Sequence, residues 1–244
     1  FPTERACIAF DENSGKLWVM LAKAADGTVE YRKCTPAEQK SFDEARKQEM
    51  KALFELGAYR ILSLEESRKF RRQHPQYVLK TRYVDRWKPT DEGGVKAKSR
   101  IVILGFQDPQ VFQLERSAPT PTNEGFTTAL QYFASTRSKC CSADIKNAFG
   151  QALKTNRSIP ICGSLPPGGI PGYENLHPEQ LLLAETEVYG LISGPSWLRQ
   201  TLVSTFEELG YVRNRYDKCI MTLPPVNAKT ADKSKGILNE GIVM

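Results

Sequence analysis

Apolar positions recur along the chain at two spacings, three-to-four and two, and each marks its own segments. Phe42, Ala45, Glu49/Met50 and Leu53/Phe54 follow helical spacing. Thr35 stands ahead of them as an N-cap, Pro36 takes the first helical position, Glu38 completes a capping box and Gly57 is a stop. A second helix is predicted over 124–136, with Phe126, Ala129, Leu130 and Phe133 on one stripe. A third starts at Pro195, carries Leu198, Leu202, Phe206 and Leu209, and stops at Gly210.

Period-two segments lie between these helices. Over 77–88 the even positions are Val78, Lys80, Arg82, Val84, Arg86 and Lys88; the odd ones are Tyr77, Leu79, Thr81, Tyr83, Asp85 and Trp87. After a turn at 89–94, a strand over 95–104 sets Lys96, Lys98 and Arg100 against Val95, Ala97, Ile101 and Ile103. Shorter strands are predicted at Lys139–Asp144, at Arg157–Cys162 and at Gly241–Met244. Leu17–Leu21 and Thr28–Tyr31 read as a hairpin about Asp26-Gly27, and 211–223 as a final hairpin. The stretch 166–172 reads as a loop and 229–235 as a polar loop; no internal repeat occurs. Helices and antiparallel strands in separate runs give an α+β class.

Charge sharpens this picture. The 244 residues carry 34 Lys and Arg against 28 Asp and Glu, a net +6. Residues 68–100 hold eleven Lys/Arg and three acids, so this stretch is +8 and the other 211 residues are −2. The alternation places the cations on one face of a ribbon. Such a face suits a phosphate backbone or a triphosphate, and it equally describes a solvated basic hairpin.

Other classes drop out. No apolar run approaches the roughly 18 residues of a membrane span, and the first residues lack a secretory layout. His74 and His177 are the only histidines, which disfavours a histidine-rich metal site. Six cysteines without a C-x-x-C pair read as reduced thiols of an intracellular protein, cytoplasmic or nuclear.

The candidate chemistry lies in Ser142-Ala143-Asp144-Ile145-Lys146-Asn147-Ala148-Phe149-Gly150. An Asp at a strand end is a cap or turn former, or a metal ligand. Several segments together extend the reading. They are Lys98-Ser99-Arg100-Ile101-Val102-Ile103-Leu104-Gly105-Phe106, Ser117-Ala118-Pro119-Thr120, Pro166-Pro167-Gly168, Val188-Tyr189-Gly190-Leu191 with Pro195, and Leu209-Gly210-Tyr211 with Asp217 to Ile220. In this order and spacing, from roughly 40 to 224, the chain resembles the reverse transcriptase domain of copia-type retrotransposons. The helix over 36–56 fits that family's opening Ala-x-x-x-Glu-x-x-x-Leu element. Residues 1–34 fall outside the resemblance and form an N-terminal extension; 35–244 would be the polymerase part.

The resemblance implies a right-hand polymerase's fingers and partial palm, an antiparallel sheet with packed helices. It implies an RNA-directed DNA polymerase that transfers nucleotides from dNTP to a primer 3′-hydroxyl with two Mg²⁺ (or Mn²⁺) ions. Asp144 would be catalytic and bridge the metals, with the Ile145 carbonyl a lesser ligand. Lys98 and Arg100 would hold the triphosphate, and Phe149 would sit under the sugar. Tyr189 and Gly190 would lie against the template–nucleotide pair. Lys80, Arg82, Arg86 and Lys88 would meet the template-primer. Integrase and ribonuclease H parts would belong to the same polyprotein.

Two departures qualify these implications. The family's paired Asp in a Tyr-x-Asp-Asp hairpin is absent, and Asp217, Asp232 and Glu240 read as turn or surface residues. The segment 241–244 resembles the strand leading into that hairpin, so the chain is expected to be inactive by itself. Ile192-Ser193-Gly194 also stands where the family carries Lys-Gln. The alternative is a non-catalytic nucleic-acid-binding or interaction domain on the same scaffold.

Overall fold

The computed structural model describes residues 5–11, 16–22, 28–90, 93–115, 117–137, 139–224 and 241–243. Helix α1 spans Pro36–Glu55. Thr35 Oγ1 accepts from the Glu38 amide and Glu38 Oε2 accepts from the Thr35 amide at 2.8 Å, so the expected capping box is formed. At the other end Gly57 has φ +67°. The Ala58 amide reaches the Leu53 carbonyl and the Gly57 amide reaches that of Phe54, a Schellman close.

Strands β1 (Arg5–Asp11) and β2 (Lys16–Ala22) form an antiparallel pair. This corrects the hairpin expected over 17–31. The strand over 17–21 is real, but its partner is 5–11. Thr28 instead makes an isolated bridge to Arg86, and Tyr31–Lys33 is a short 3₁₀ turn. The Asp26-Gly27 turn lies outside the described residues, as does the polar loop at 229–235.

After α1 come β3 (Tyr59–Ile61), α2 (Leu64–Gln73), β4 (Val78–Leu79), β5 (Thr81–Pro89) and β6 (Val95–Ile103). Helix α2 was not anticipated, although Ser63 and Glu66 cap each other as a second capping box. Then follow α3 (Asn123–Thr136), β7 (Cys162–Ser164), β8 (Leu181–Ala184), α4 (Gly194–Glu208), β9 (Val212–Arg213), β10 (Met221–Leu223) and β11 (Gly241–Val243).

Strands β5 and β6 form a two-stranded antiparallel sheet, which Thr28 joins by its isolated bridge to Arg86. A four-stranded sheet runs β3-β8-β7-β4, antiparallel except for the parallel β4–β7 pair, and a three-stranded sheet runs β11-β10-β9. The architecture is α+β, with mainly antiparallel strands. Among the described residues no helix is long and apolar enough to cross a membrane.

Three expectations change. Residues 139–145 form no strand. The strand expected at 157–162 begins only at Cys162, beyond Pro160, which has no amide to donate to a ladder. The stripe of α3 is largely uncovered: Ala129 is buried, whereas Phe126 and Leu130 are exposed. On α4, Leu209 falls just past the helix and is exposed.

The core sits where α1 crosses the ribbon and the four-stranded sheet. Met50, Leu53, Leu79, Ile101, Ile103, Leu182 and Val188 are its buried members. Phe42 stacks tilted on Trp87 at 4.7 Å between ring centres. One turn further, Arg46 meets Asp85 through Nη2–Oδ2 at 2.6 Å, and Ser99 Oγ donates to Asp85 Oδ1 at 2.7 Å. The Arg46 guanidinium also lies 3.9 Å from the Tyr31 ring centre. Thr81 Oγ1 donates to the Ser164 carbonyl at 2.7 Å, which ties the ribbon to β7.

Removing one partner of a buried ion pair strands the other charge. Asp85→Ala should therefore lose about 3–5 kcal/mol of unfolding free energy in urea titration. Arg46→Met combined with Asp85→Leu should recover most of that loss, because no buried charge is then left unpaired.

Candidate nucleic-acid interface

The β5–β6 register decides what the cationic face is. Arg86 stands opposite Lys98 and Lys88 opposite Lys96, while Arg82 faces Val102 and Arg100 faces Val84. All six cations are exposed, and the residues between them, Asp85, Ser99 and Ile101, are buried against α1. Directly opposed like charges cost about 0.2–1 kcal/mol per pair. Among the described residues, no hydrogen bond or ion pair engages the side chains of Arg82, Lys88, Lys96 or Lys98. The Lys98 ammonium is pushed below its ordinary range by partial burial, and Arg100 and Lys88 add to the effect. Lys80 is exposed just before β5, and its carbonyl accepts from the Leu104 amide.

At the end of β6 the face meets a second segment. The Ile103 amide donates to the Tyr189 carbonyl at 2.9 Å. Gly190 has φ +96°, and a Cβ there would overlap the Ile103 carbonyl; a Cβ on Gly105 would overlap the Gly190 carbonyl. Only glycines allow this approach. It sets the Tyr189 ring 5.1 Å from the Arg100 guanidinium carbon.

A third segment arrives from the other side. The Phe149 ring meets Tyr189 edge-on at 4.9 Å. Phe149 lies in a 3₁₀ turn, Ala148–Gln151, which Asn147 enters with φ +51°. Gly150 packs against Leu53 of α1 and Leu56 at its C-cap. Burial pushes the Tyr189 phenol up; Arg100 opposes this, and Glu49 and Asp144 reinforce it. Asp144 is thus within electrostatic reach of Tyr189, yet it is exposed on an irregular stretch, as is Ile145. Lys98, Arg100, Phe149, Tyr189 and Gly190 come together; Lys80, Arg82, Arg86 and Lys88 continue the face away from them.

Sequence reading missed two features. The first is a buried network behind the Tyr189 turn. The Arg157 side chain is 3% exposed and joins Asp108 at 2.7 Å and Glu187 at 2.6 Å, themselves 0% and 3% exposed. Thr155 and Ser193 donate to Glu187, and Arg157 Nη2 donates to Ser193 Oγ at 2.9 Å. Burial pushes the Glu187 carboxyl up, but Arg157, Ser193 and Thr155 outweigh it and hold the group below the usual carboxylate range. Glu187 and Ser193 bracket Tyr189 and Gly190, so the network closes that turn. Ser193 is a member of this network. An isolated Arg157 gave no periodic signal. The second missed feature is Glu49, which helical spacing placed with the core and the structure leaves half-buried; burial pushes its carboxyl up, and Arg100 and Lys98 oppose that.

The metal reading meets a chemical limit. Among the described residues no three His, Cys, Asp or Glu side chains come together as a cation site. Asp217 is already committed, accepting from the Thr122 amide at 2.7 Å and the Cys219 amide at 2.9 Å as a loop brace. Asp232 and Glu240 lie outside the described residues. One exposed carboxylate does not organise two Mg²⁺ ions, so the described side chains do not fit a two-metal centre.

A cavity of about 860 Å³ lies beside β5. Arg32, Arg46 and Arg82 line it together with Asp43, Asp85 and Glu174, so its charges balance and it has no anion preference of its own. No family model, curated protein or solved structure matches the chain.

Gly190→Ala should cost about 3 kcal/mol or more in thermal unfolding, because strain at positive φ adds to the clash with Ile103. Acid should expose the Glu187 network. A carboxyl depressed in the fold contributes stability above its unfolded value, and that stability is lost as pH falls through the folded value. Glu187→Gln should lower stability at pH 7 and flatten the acid limb of a stability–pH profile.

Proposed function

We infer that the chain is a nucleic-acid- and nucleotide-binding part of an RNA-directed DNA polymerase of the copia type, comprising elements of its fingers and palm. One observation carries the reading. Three segments far apart in sequence bring Lys98 and Arg100, Tyr189 and Gly190, and Phe149 to one place at the end of β6. These are the residues to which the resemblance assigns the incoming nucleotide. The exposed cations of β5 and β6 then supply a track for a phosphate backbone. In this reading the partners are dNTP and an RNA or DNA template-primer, and the setting is intracellular, cytoplasmic or nuclear, within a longer polyprotein.

The chemistry that this chain's own residues supply is binding and orientation. Lys98 and Arg100 attract phosphate oxygens. Tyr189 is held by Arg100 on one side and Phe149 on the other, which fixes an aromatic surface beside the cations. A divalent ion would supply activation of the primer hydroxyl; Asp144 is the described residue that the resemblance gives it, and the described side chains offer it no companion. The second reading, a binding domain without catalysis, is favoured by that same lack.

Binding decides between a functional and a merely solvated face. Lys98→Ala with Arg100→Ala should weaken single-stranded DNA binding by roughly tenfold or more. The slope of log affinity against log salt should fall by about 1.4, since each neutralised phosphate contributes about 0.7 on single strands. An unchanged affinity and slope would refute the interface. Asp144→Asn should leave this binding intact. Primer extension by the chain itself that depends on Mg²⁺ and on Asp144 would show a metal centre that the described residues do not provide.

A further inference from the structure

The two edges of the β5–β6 ribbon are used differently. Along an antiparallel strand the amide and carbonyl of one residue point the same way, and alternate residues point to opposite edges. The Lys80 carbonyl accepts from the Leu104 amide, so the even residues of β5 face β6. The Asp85 carbonyl accepts from the Val29 amide at 2.8 Å, so the odd residues, Thr81, Tyr83 and Asp85, face away from β6. On β6 the outer edge is closed at Ile103 by the Tyr189 carbonyl. On β5 it has two neighbours. Val29 takes it at Asp85. Strand β7 runs parallel to β4, with Gly163 beside Leu79, and reaches as far as the bond from Thr81 Oγ1 to the Ser164 carbonyl. Tyr83 lies between the two. Among the described residues, no hydrogen bond engages its amide or its carbonyl.

The 860 Å³ cavity lies at this gap. Tyr83 lines it, together with Val29 from one neighbour and Leu165, which follows β7, from the other. Tyr31 and Tyr173 add aromatic walls and Ile170 an apolar one. From Thr81 to Asp85 the edge runs about 13 Å at roughly 3.3 Å per residue, room for about three extended residues. The carboxylates around the cavity are already engaged. Asp43 and Asp85 hold Arg46, and Glu174 Oε1 accepts from the Gly172 amide at 2.7 Å. Charge therefore selects no ligand there, and the open polar groups are those of a strand.

We propose that this gap is a docking site for a short extended peptide segment of a partner protein, which adds a strand antiparallel to β5 between Val29 and β7. One peptide residue stands opposite Tyr83, donates its amide to the Tyr83 carbonyl and accepts from the Tyr83 amide. The occupant is a peptide because a donor and an acceptor presented by one strand residue are matched by those of another. The Val29 segment already pairs with the same edge in the same way. Backbone bonds give the affinity, and the tyrosine walls cover the side chains beside them, so an uncharged segment suffices. The site is independent of the nucleic-acid reading, since Lys98, Arg100 and Tyr189 are not among its walls.

The test uses the full chain and acetyl-Thr-Val-Thr-amide, an uncharged peptide of high strand propensity, read by amide NMR and hydrogen exchange. In the free chain the Tyr83 amide should exchange roughly tenfold or more faster than those of Arg82 and Val84, which face β6. Added peptide should shift the Tyr83 amide resonance and slow its exchange. N-methylation of the central Val should weaken binding by about tenfold, through loss of one backbone hydrogen bond. Lys98→Ala with Arg100→Ala should bind the peptide as wild type does. If the Tyr83 amide of the free chain is protected like its neighbours, the edge is already filled, by the chain itself or by a second copy, and the proposal is overturned. It is also overturned if the peptide at about 5 mM leaves the Tyr83 amide unmoved, or if the N-methylated peptide binds equally well.

Discussion

The contact between the Gly105–Gly190 backbones and the end of β6 is the constraint on which the rest of the site depends. Without a side chain at either position, the turn carrying Tyr189 comes close enough for its carbonyl to accept from Ile103. A methyl group at Gly190 or Gly105 would fill the space that this approach uses. From that one contact follow the placement of Tyr189 beside Arg100, the edge on which Phe149 rests, and the position of α4, which starts just after the same turn. Val188 and Leu191 on either side enter the core, so the turn is anchored by apolar burial as well as by the hydrogen bond.

The molecule treats its charges in two opposite ways. Inside, each buried cation has its counter-charge and its hydrogen bonds: Arg46 has Asp85 and Ser99 beside it, and Arg157 has Asp108, Glu187 and Ser193. On the ribbon's outer face, Arg86 stands opposite Lys98 and Lys88 opposite Lys96, and among the described residues no hydrogen bond or ion pair engages the side chains of Lys88, Lys96 or Lys98. Folding alone does not favour that arrangement, since mixed signs across the strands would be more stable. The cost is small per pair, and it leaves the face open to anions.

The readable parts of the sequence were those fixed by neighbours in the chain. The capping box at Thr35, the Gly57 stop and the alternation over 81–103 are local signals, and the corresponding elements formed. Partner choice was not local. Leu17–Leu21 could pair on either side, and the distant-looking run at 5–11 won. Residues 139–144 had strand-like spacing but no strand beside them to supply a ladder. The residues proposed for the site were legible through the order of their motifs. Arg157 and Glu49 were not, because one works from a loop through buried partners and the other sat within a helical stripe that looked like core.

Ser193 brings these strands of argument together. By resemblance, its position is one where a longer polar side chain would reach the nucleotide. In this chain the short hydroxyl points instead to Glu187 and Arg157, behind the turn. A hydroxyl bound there fixes the turn and cannot also reach across its front. In the nucleic-acid reading, recognition of a ligand would then fall to Arg100, Lys98 and Tyr189. Charge and an aromatic surface discriminate poorly among bases but hold any phosphate chain. In the nucleic-acid reading such a site would grip a backbone rather than read a base, because its cations are exposed on one face while those of the interior are buried against carboxylates.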